Sequence, residues 1–431
     1  MVINRDKYLN QIIQKKNNGL IKIITGLRRC GKSYLLNKLY KDYLISNNID
    51  QNKIISFSFD SFDDVMKLDK YLPEEKTLKY DSKNNYIVNP KKFILYINDL
   101  TNEIDSYYLL LDEIQLLDNF VMVLNGFLKR ENFDVYVTGS NSKMLSSDII
   151  TEFRGRGDQI HLYPLSFKEF YNASSLSFNK AYLEYQYYGG MPYLLSIDSQ
   201  EEKQAYLKNL FSEIYIKDIT ERNGIRDINS FEKLLCILSS SIGSYTSPTN
   251  LENTFKSVEK ISYSHVAIKK HIQFIKDAFL LSEALRYDIK GKNYIGSKSK
   301  YYFTDIGLRN ALINFRQTEP THIMENIIYN ELINRGYCVD VGVVEISEKN
   351  DNGNYIIKQL ETDFICNKIN EKIYIQSAYS METIEKQIQE KKSLIKIKDN
   401  YRKIIIVKDS IKPYFTEEGI EVISLEDWLL N

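Results

Sequence analysis

The chain has 431 residues, long enough for two or three domains, and its 43% hydrophobic and 26% charged residues are those of a globular protein rather than a disordered or fibrous one. Its 57 basic residues balance 57 acidic ones, which excludes a global basic field for nucleic acid, so any such binding has to come from a local patch. Cys30, Cys236, Cys338 and Cys366 are scattered without a C-x-x-C pair, which fits a reducing compartment and argues against structural zinc. With no run of about 18 apolar residues and no signal-peptide pattern, a cytoplasmic protein without membrane attachment is expected.

The first elements in chain order are a short amphipathic helix, "INRDKYLNQII", and a buried strand over Leu20 to Thr25. The strand runs into "GLRRCGKS", where Gly26, Leu27, Arg28, Arg29, Cys30, Gly31, Lys32 and Ser33 fit the phosphate-binding pattern G-x-x-x-x-G-K-[ST]. Glycines there let backbone N–H groups curl around phosphate oxygens, Lys32 would reach the β- and γ-phosphates, and Ser33 would hold Mg²⁺. Tyr34 is counted with this set, because it opens the helix "SYLLNKLYKDYLI" whose N-terminus would face the phosphates. Arg28 and Arg29 are extra to the pattern: they touch phosphate or an acidic neighbour, or are solvated.

A strand-like "KIISFSFD" is followed by "YYLLLDEIQ", a buried-strand run ending in two acids. Asp112 would sit beside Ser33 and organise Mg²⁺, and Glu113 would act as general base on the attacking water. The strand "FDVYVTGSN" ends in Ser140 and Asn141, where a γ-phosphate sensor would stand; the alternative is a turn satisfied by its own backbone. In "FRGRGDQIHLYPL", Arg154 and Arg156 precede a strand; Arg156 could stabilise charge on a transferring phosphate, or be an exposed loop cation.

"GLRRCGKS", "LLLDEIQ", "VYVTGSNSKML", "RGRGDQIHLYPLSFKEF" and "YGGMPYLL", in this order, resemble a widespread bacterial and archaeal group of AAA-type ATP-binding proteins. These join an AAA-like ATPase core to an uncharacterised C-terminal domain. The resemblance covers nearly the whole chain and implies an α/β P-loop core over residues 1–165 that binds ATP and hydrolyses it with Mg²⁺. It makes residues 166–226 a helical lid. Gly190 and Pro192 resemble the glycine-x-proline motif of related signalling ATPases, whose proline lies near the base, although proline after glycines is also an ordinary helix start. The same resemblance places the N-terminal segment near the base, with Arg5 as its polar candidate.

Residues 227–318 read as three helices, the third capped by Ser264, then two strands around a lysine-rich turn: a winged helix, which the resembling group also has here. It could set Lys269, Lys270 and His271 in a DNA groove with Lys290, Lys292, Lys298 and Lys300 near phosphates, or serve as a protein-contact module, since Asp277, Glu283 and Asp288 dilute the charge. Residues 319–431 follow the order α-β-β-β-α-β of restriction-endonuclease-like folds. On that pattern Glu325 takes the helical acid and Asp363 the strand Asp, but Gln376 and Ala378 stand where the second acid and the lysine belong. A degenerate nuclease-like module that does not cleave is expected. The sequence thus reads as a Mg-dependent ATPase used as a conformational switch. Its rivals are a DNA-gripping ATPase and an ATP-binding interaction protein with little turnover; a protein partner or homo-oligomer stays open.

Overall fold

The computed structural model describes residues 3–80, 86–139, 153, 155–316, 319–349 and 354–431. It divides into two compact units, Val2–Pro164 and Leu165–Asn431. The lid, winged and C-terminal segments read from the sequence all fall in the second.

The first unit is built on a five-stranded parallel sheet with order β2-β5-β6-β1-β7. Its strands are β1 (Ile21–Gly26), β2 (Ile54–Ser58), β5 (Tyr107–Asp112), β6 (Phe133–Thr138) and β7 (Gly157–Leu162); β3 (Leu78–Tyr80) and β4 (Tyr86–Val88) form a separate hairpin. A parallel sheet is covered on both faces, which is why "IKIITG" and "YYLLLD" are buried at every position and read as apolar runs. One face packs on Phe57, Phe59 and Phe93, whose ring centroids lie 4.8, 4.9 and 5.0 Å apart. Each such ring removed from water contributes about 2–3 kcal/mol of transfer free energy. All five strands point one way, so Gly26, Asp112 and Thr138 end at the same edge, beside β1 where the strand order reverses. In open α/β sheets this is where ligands bind.

At the opposite edge Lys22 is fully buried and pairs with Asp134, which also accepts from the Tyr136 hydroxyl at 2.6 Å; Tyr40 in turn donates to Tyr136 at 2.5 Å. A buried charge needs such a partner set.

The second unit opens with helices Phe167–Ala173, Phe178–Tyr188, Gln200–Asn209 and Lys217–Asn223, then Ile228–Ser240, Pro248–Thr254 and His265–Asp277. Ser264 caps the last of these, accepting from Ala267 N at 3.3 Å. The antiparallel pair β8 (Leu281–Asp288) and β9 (Asn293–Phe303) follows, then helices Ile306–Leu312 and Pro320–Asn334. The remaining strands are β10 (Cys338–Lys349), β11 (Tyr355–Lys368), β12 (Glu371–Ala378), β13 (Arg402–Val407), β14 (Tyr414–Phe415) and β15 (Glu421–Ser424), with helix Ile384–Lys396 crossing between β12 and β13. The hairpin is not a free wing: β8 pairs in parallel with β10 through Arg286, Tyr287 and Asp288, giving one eight-stranded sheet, β14-β15-β13-β12-β11-β10-β8-β9.

The glycine pair of "YGGMP" has a packing reason. Gly189 lies at φ +74°, in a conformation that disfavours side chains, and the fully enclosed Asp305 accepts from Gly190 N at 2.7 Å and Leu308 N at 3.0 Å. Burial pushes the Asp305 carboxyl up to about 6, against the pull of the Gly190, Leu308 and Gly307 amides. Asn310 donates to the Gln186 and Tyr187 carbonyls at 2.8 and 3.0 Å, and a Cβ on Gly307 would stand 1.9 Å from the Tyr188 carbonyl oxygen. Pro192 opens the short turn Pro192–Ser196 just beyond. Because the atom met by that Cβ is backbone, Gly307→Ala should destabilise the second unit by about 2–3 kcal/mol. A lowered urea midpoint for this unit, with that of the first unit unchanged, is the expected observation.

Candidate functional site

At the C-terminal edge of β1 the backbone turns sharply. Gly26 (φ +140°) leaves no room for a side chain, since a Cβ would lie 2.1 Å from the Leu162 carbonyl oxygen on β7. Arg29 (φ +61°) and Gly31 (φ +101°) carry the chain left-handed into the helix that begins at Lys32. Leu27 and Cys30 are buried and anchor the loop; the Cys30 thiol donates to the Leu162 carbonyl at 3.5 Å. Arg28 is half-buried and Arg29 exposed, while Tyr34 is half-buried at the helix start. Arg5, expected near the base, is spent on the scaffold: it donates to the Cys30 carbonyl at 3.3 Å and the Tyr163 carbonyl at 2.7 Å.

Lys32 is 4% exposed, and its ammonium donates to the carbonyls of Gly26 at 3.1 Å and Leu27 at 2.7 Å. Ser33 donates to Asp112 Oδ1 at 3.0 Å. Asp112 sits between its strand neighbours, accepting from Thr138 on one side and from Ser58, at 3.3 Å, on the other. Burial raises the Asp112 carboxyl above the usual carboxylate range; the Thr138 and Ser33 hydroxyls pull it back, and Glu113 and Asp60 add to the rise. Glu113 is left-handed (φ +53°), its amide donates to Thr138 Oγ1 at 3.1 Å, and Gln115 donates to its carboxylate.

This donor set fits a phosphate with a divalent cation. A buried ammonium now rests on neutral carbonyls, a serine hydroxyl lies on a carboxylate that has only hydroxyl partners among the described residues, and glycines let the backbone turn through positive φ without strain. Thr138 and Ser58 were not legible along the chain, because they meet Asp112 across strands; the signal that could have found them is the register of three parallel strand ends.

His161, also missed, faces the same strand end: its Nδ1 is 3.1 Å from Thr25 Oγ1, to which Gln159 also donates at 2.9 Å. Burial, reinforced by Lys32 and Lys7, lowers His161 to about 4, so the ring is neutral at pH 7.

Other expected residues are not gathered here. Ser140, Asn141 and Arg154 lie outside the described residues. Arg156 is exposed at the start of β7, where its carbonyl accepts from Ile21 N at 3.0 Å. Since Ile21 pairs with Gly157 and Gly26 with Leu162, five strand residues separate Arg156 from the loop, about 16 Å at 3.3 Å per residue. Its own chain's phosphate loop is out of reach.

In the second unit Glu325 and Asp363 do come together, but around Lys300, which is buried on β9 rather than lying on the hairpin surface. His271 likewise leaves the expected groove set: it contacts the Tyr263 hydroxyl and packs edge-on to Phe231 at 5.7 Å, and burial lowers its pKa. Lys269, Lys270, Lys290, Lys292 and Lys298 are exposed. Gln376 accepts weakly from Asp363 N at 3.4 Å, and Ala378 belongs to the buried core of the C-terminal layer. Among the described residues no three His, Cys, Asp or Glu side chains are arranged to hold a metal ion by themselves, and no helix is long and apolar enough to cross a membrane.

A family model described as an AAA domain matches residues 18–171, so the first unit is an AAA-type P-loop core. A second, described as a domain of unknown function, DUF8612, matches residues 179–319. Over its whole length the chain is 34% identical to a Haemophilus influenzae protein described as uncharacterized, of which 99% is covered; the chain belongs to that protein's family. An uncharacterized protein of Methanocaldococcus jannaschii is 28% identical over 99% of this chain and 88% of its own. Among solved structures, the Walker-type ATPase of Pyrococcus abyssi aligns with a TM-score of 0.48 and 12% identity over 72% of this chain and 96% of that one.

A depressed His161 gives stability that is complete above its unfolded value near 6.5 and is lost as pH falls toward 4. The first unit should lose on the order of 3 kcal/mol over that window, and His161→Gln should flatten it in urea titrations at pH 7 and pH 4.5.

Proposed function

We propose that the protein is a Mg-dependent ATPase that works as a conformational switch, with Lys32, Ser33, Asp112 and Glu113 carrying the chemistry. The observation that carries this reading is the Ser33–Asp112 contact at 3.0 Å, with the Lys32 ammonium buried in the adjoining loop. When phosphate enters, Lys32 exchanges the Gly26 and Leu27 carbonyls for anionic oxygens, a stronger charge-assisted contact. Mg²⁺ would supply the charge that neutralises the β- and γ-phosphates, held through Ser33 and, by its water shell, Asp112. Thr138 fixes Asp112 and the Glu113 backbone together, so the base stands beside the metal-organising acid. Glu113 released from Gln115 can take a proton from water. Arg156 has no cis role here; if it meets a phosphate, that phosphate belongs to another copy.

A second reading, a DNA-gripping ATPase, is favoured by the exposure of Lys269 and Lys270 on one helix and of Lys290, Lys292 and Lys298 on the hairpin. A winged helix over residues 227–318 and a degenerate nuclease-like layer over residues 319–431 belong to this proposal. The element order and the Glu325–Asp363 juxtaposition support the latter.

Lys32→Ala should weaken Mg-ATP binding by about 1.5–3 kcal/mol in calorimetry, and unchanged affinity would reject the phosphate-loop assignment. Glu113→Gln should keep ATP affinity within roughly a few-fold and lose ~10² or more in turnover. Equal steady-state rates would reject Glu113 as base and leave it a strand-end charge, whereas turnover near zero with tight nucleotide binding would favour the low-turnover interaction protein. For the DNA reading, turnover should rise with duplex DNA at low salt and lose that rise in Lys269→Glu/Lys270→Glu.

A further inference from the structure

Helix Ile384–Lys396 lies on the C-terminal sheet through Ser393 and Leu394, both buried, yet three of its isoleucines are left in water. Ile384, Ile388 and Ile395 are 74%, 58% and 43% exposed. Offsets of four and seven residues set them in one stripe along the helix. Single exposed isoleucines are ordinary, but a stripe of them on a helix whose other side is already packed is a second apolar face.

Two lysines could have broken this face, and both are already paired. Lys391, between Ile388 and Ile395 in the stripe, holds Glu418 at 3.0 Å; Lys392, beside it, holds Glu348 at 2.7 Å. The middle of the stripe therefore carries no net charge. Glu348 stands on β10 opposite Ile356 of β11, so Ile356, 46% exposed, shares its side of the ribbon and carries apolar surface toward Lys392. The ends of the helix are charged and opposite in sign. Glu382 and Glu385 are exposed at its N-terminal end, Lys396 and Lys398 at its C-terminal end.

We infer that this face docks on the same face of a second copy of the chain, the two helices running antiparallel about a two-fold axis near Gln389 and Glu390. Ile384 of each copy then meets Ile395 of the other, and Ile388 packs on the aliphatic stem of Lys391. Glu382 and Glu385 come level with Lys396 and Lys398 of the other copy. A parallel pairing would set acid on acid and lysine on lysine, whereas a two-fold axis turns a surface bearing both signs into its own complement. Thirteen residues span about 20 Å, a small interface, so the pairing is concentration-dependent rather than obligate. This inference does not depend on the nucleotide reading.

The test is sedimentation equilibrium of the full, nucleotide-free chain at low salt over a wide range of concentration. A monomer–dimer equilibrium is expected. Ile388→Glu, at an exposed position, should leave the circular-dichroism spectrum unchanged and weaken the dimer at least ~10-fold. Glu385→Lys and Lys396→Glu should each weaken it, and the two together should restore it to within roughly three-fold of the parent chain. A chain that stays monomeric at every concentration overturns the inference, as does a dimer indifferent to Ile388→Glu. Failure of the double charge exchange to restore pairing overturns the antiparallel arrangement. Association that requires Mg-ATP and disappears in Lys32→Ala, but not in Ile388→Glu, overturns it by placing the contact in the first unit. So does a monomer that anionic phospholipid vesicles capture and Ile388→Glu releases, because a lipid surface would then be the occupant.

Discussion

Asp112 brings a carboxylate to the end of a strand that is buried along its whole length, and the described partners it finds there are hydroxyls: Ser33, Thr138 and Ser58. Hydroxyls orient a carboxylate but do not neutralise it, so its affinity for a proton rises with burial and its affinity for a cation rises with it. The rest of the first unit is arranged around that incomplete neutralisation. Parallel pairing of β2 and β6 with β5 sets two of the hydroxyls, Ser58 and Thr138, beside the acid, and the glycines of the loop bring Lys32 and Ser33 to the same edge. The opposite edge of this sheet shows the contrasting solution. There Lys22 and Asp134 are paired with each other and closed by Tyr136 and Tyr40, which leaves no electrostatic reason to admit a ligand.

The second unit deals with buried charge internally in three ways. Asp305 is held by backbone amides, among them that of Gly190 at the end of helix Phe178–Tyr188. Arg309, fully buried, spends its guanidinium on the Ser239 carbonyl at 2.8 Å and on Asn310 Oδ1 at 3.0 Å. Lys300 is enclosed by acids. Each arrangement joins segments far apart in sequence, and each loses much more when one member is removed than it gains when whole, because the remaining group is left buried without its partner.

Much of the first unit was legible because its signals are local. A buried parallel strand is a continuous apolar run, a phosphate loop is eight consecutive residues, and the acids after "YYLLL" are adjacent; all these residues meet where the strands end. What escaped is what the fold brings together across strands. Thr138 was passed over for Ser140 and Asn141 because nothing along "VYVTGSN" tells which hydroxyl reaches β5. Arg156 looked catalytic from its neighbours in sequence, but the direction of β7 carries it to the far edge. His271 was read from the periodicity of a basic helix, while the ring turns toward Phe231 and Tyr263. In the C-terminal layer, the pairing of β8 with β10, which brings Lys300 of β9 to Glu325 and Glu361, leaves no local trace in the sequence.

That pairing also changes what a switch in this chain would have to move. Lid, hairpin and C-terminal layer look separable in sequence, divided by turns and changes of pattern. In the folded second unit helix Phe178–Tyr188 is joined to helix Ile306–Leu312 through Asp305 and Asn310, that helix follows β9 directly, and β9 is bound through β8 and Lys300 to the sheet that ends at β14. A displacement imposed on helix Phe178–Tyr188 therefore meets buried hydrogen bonds and a buried ion cluster before it meets a loop. Packed interiors shift between discrete arrangements rather than deforming gradually, so the unit has reason to respond as a body, with its exposed lysines carried along on a rigid hairpin.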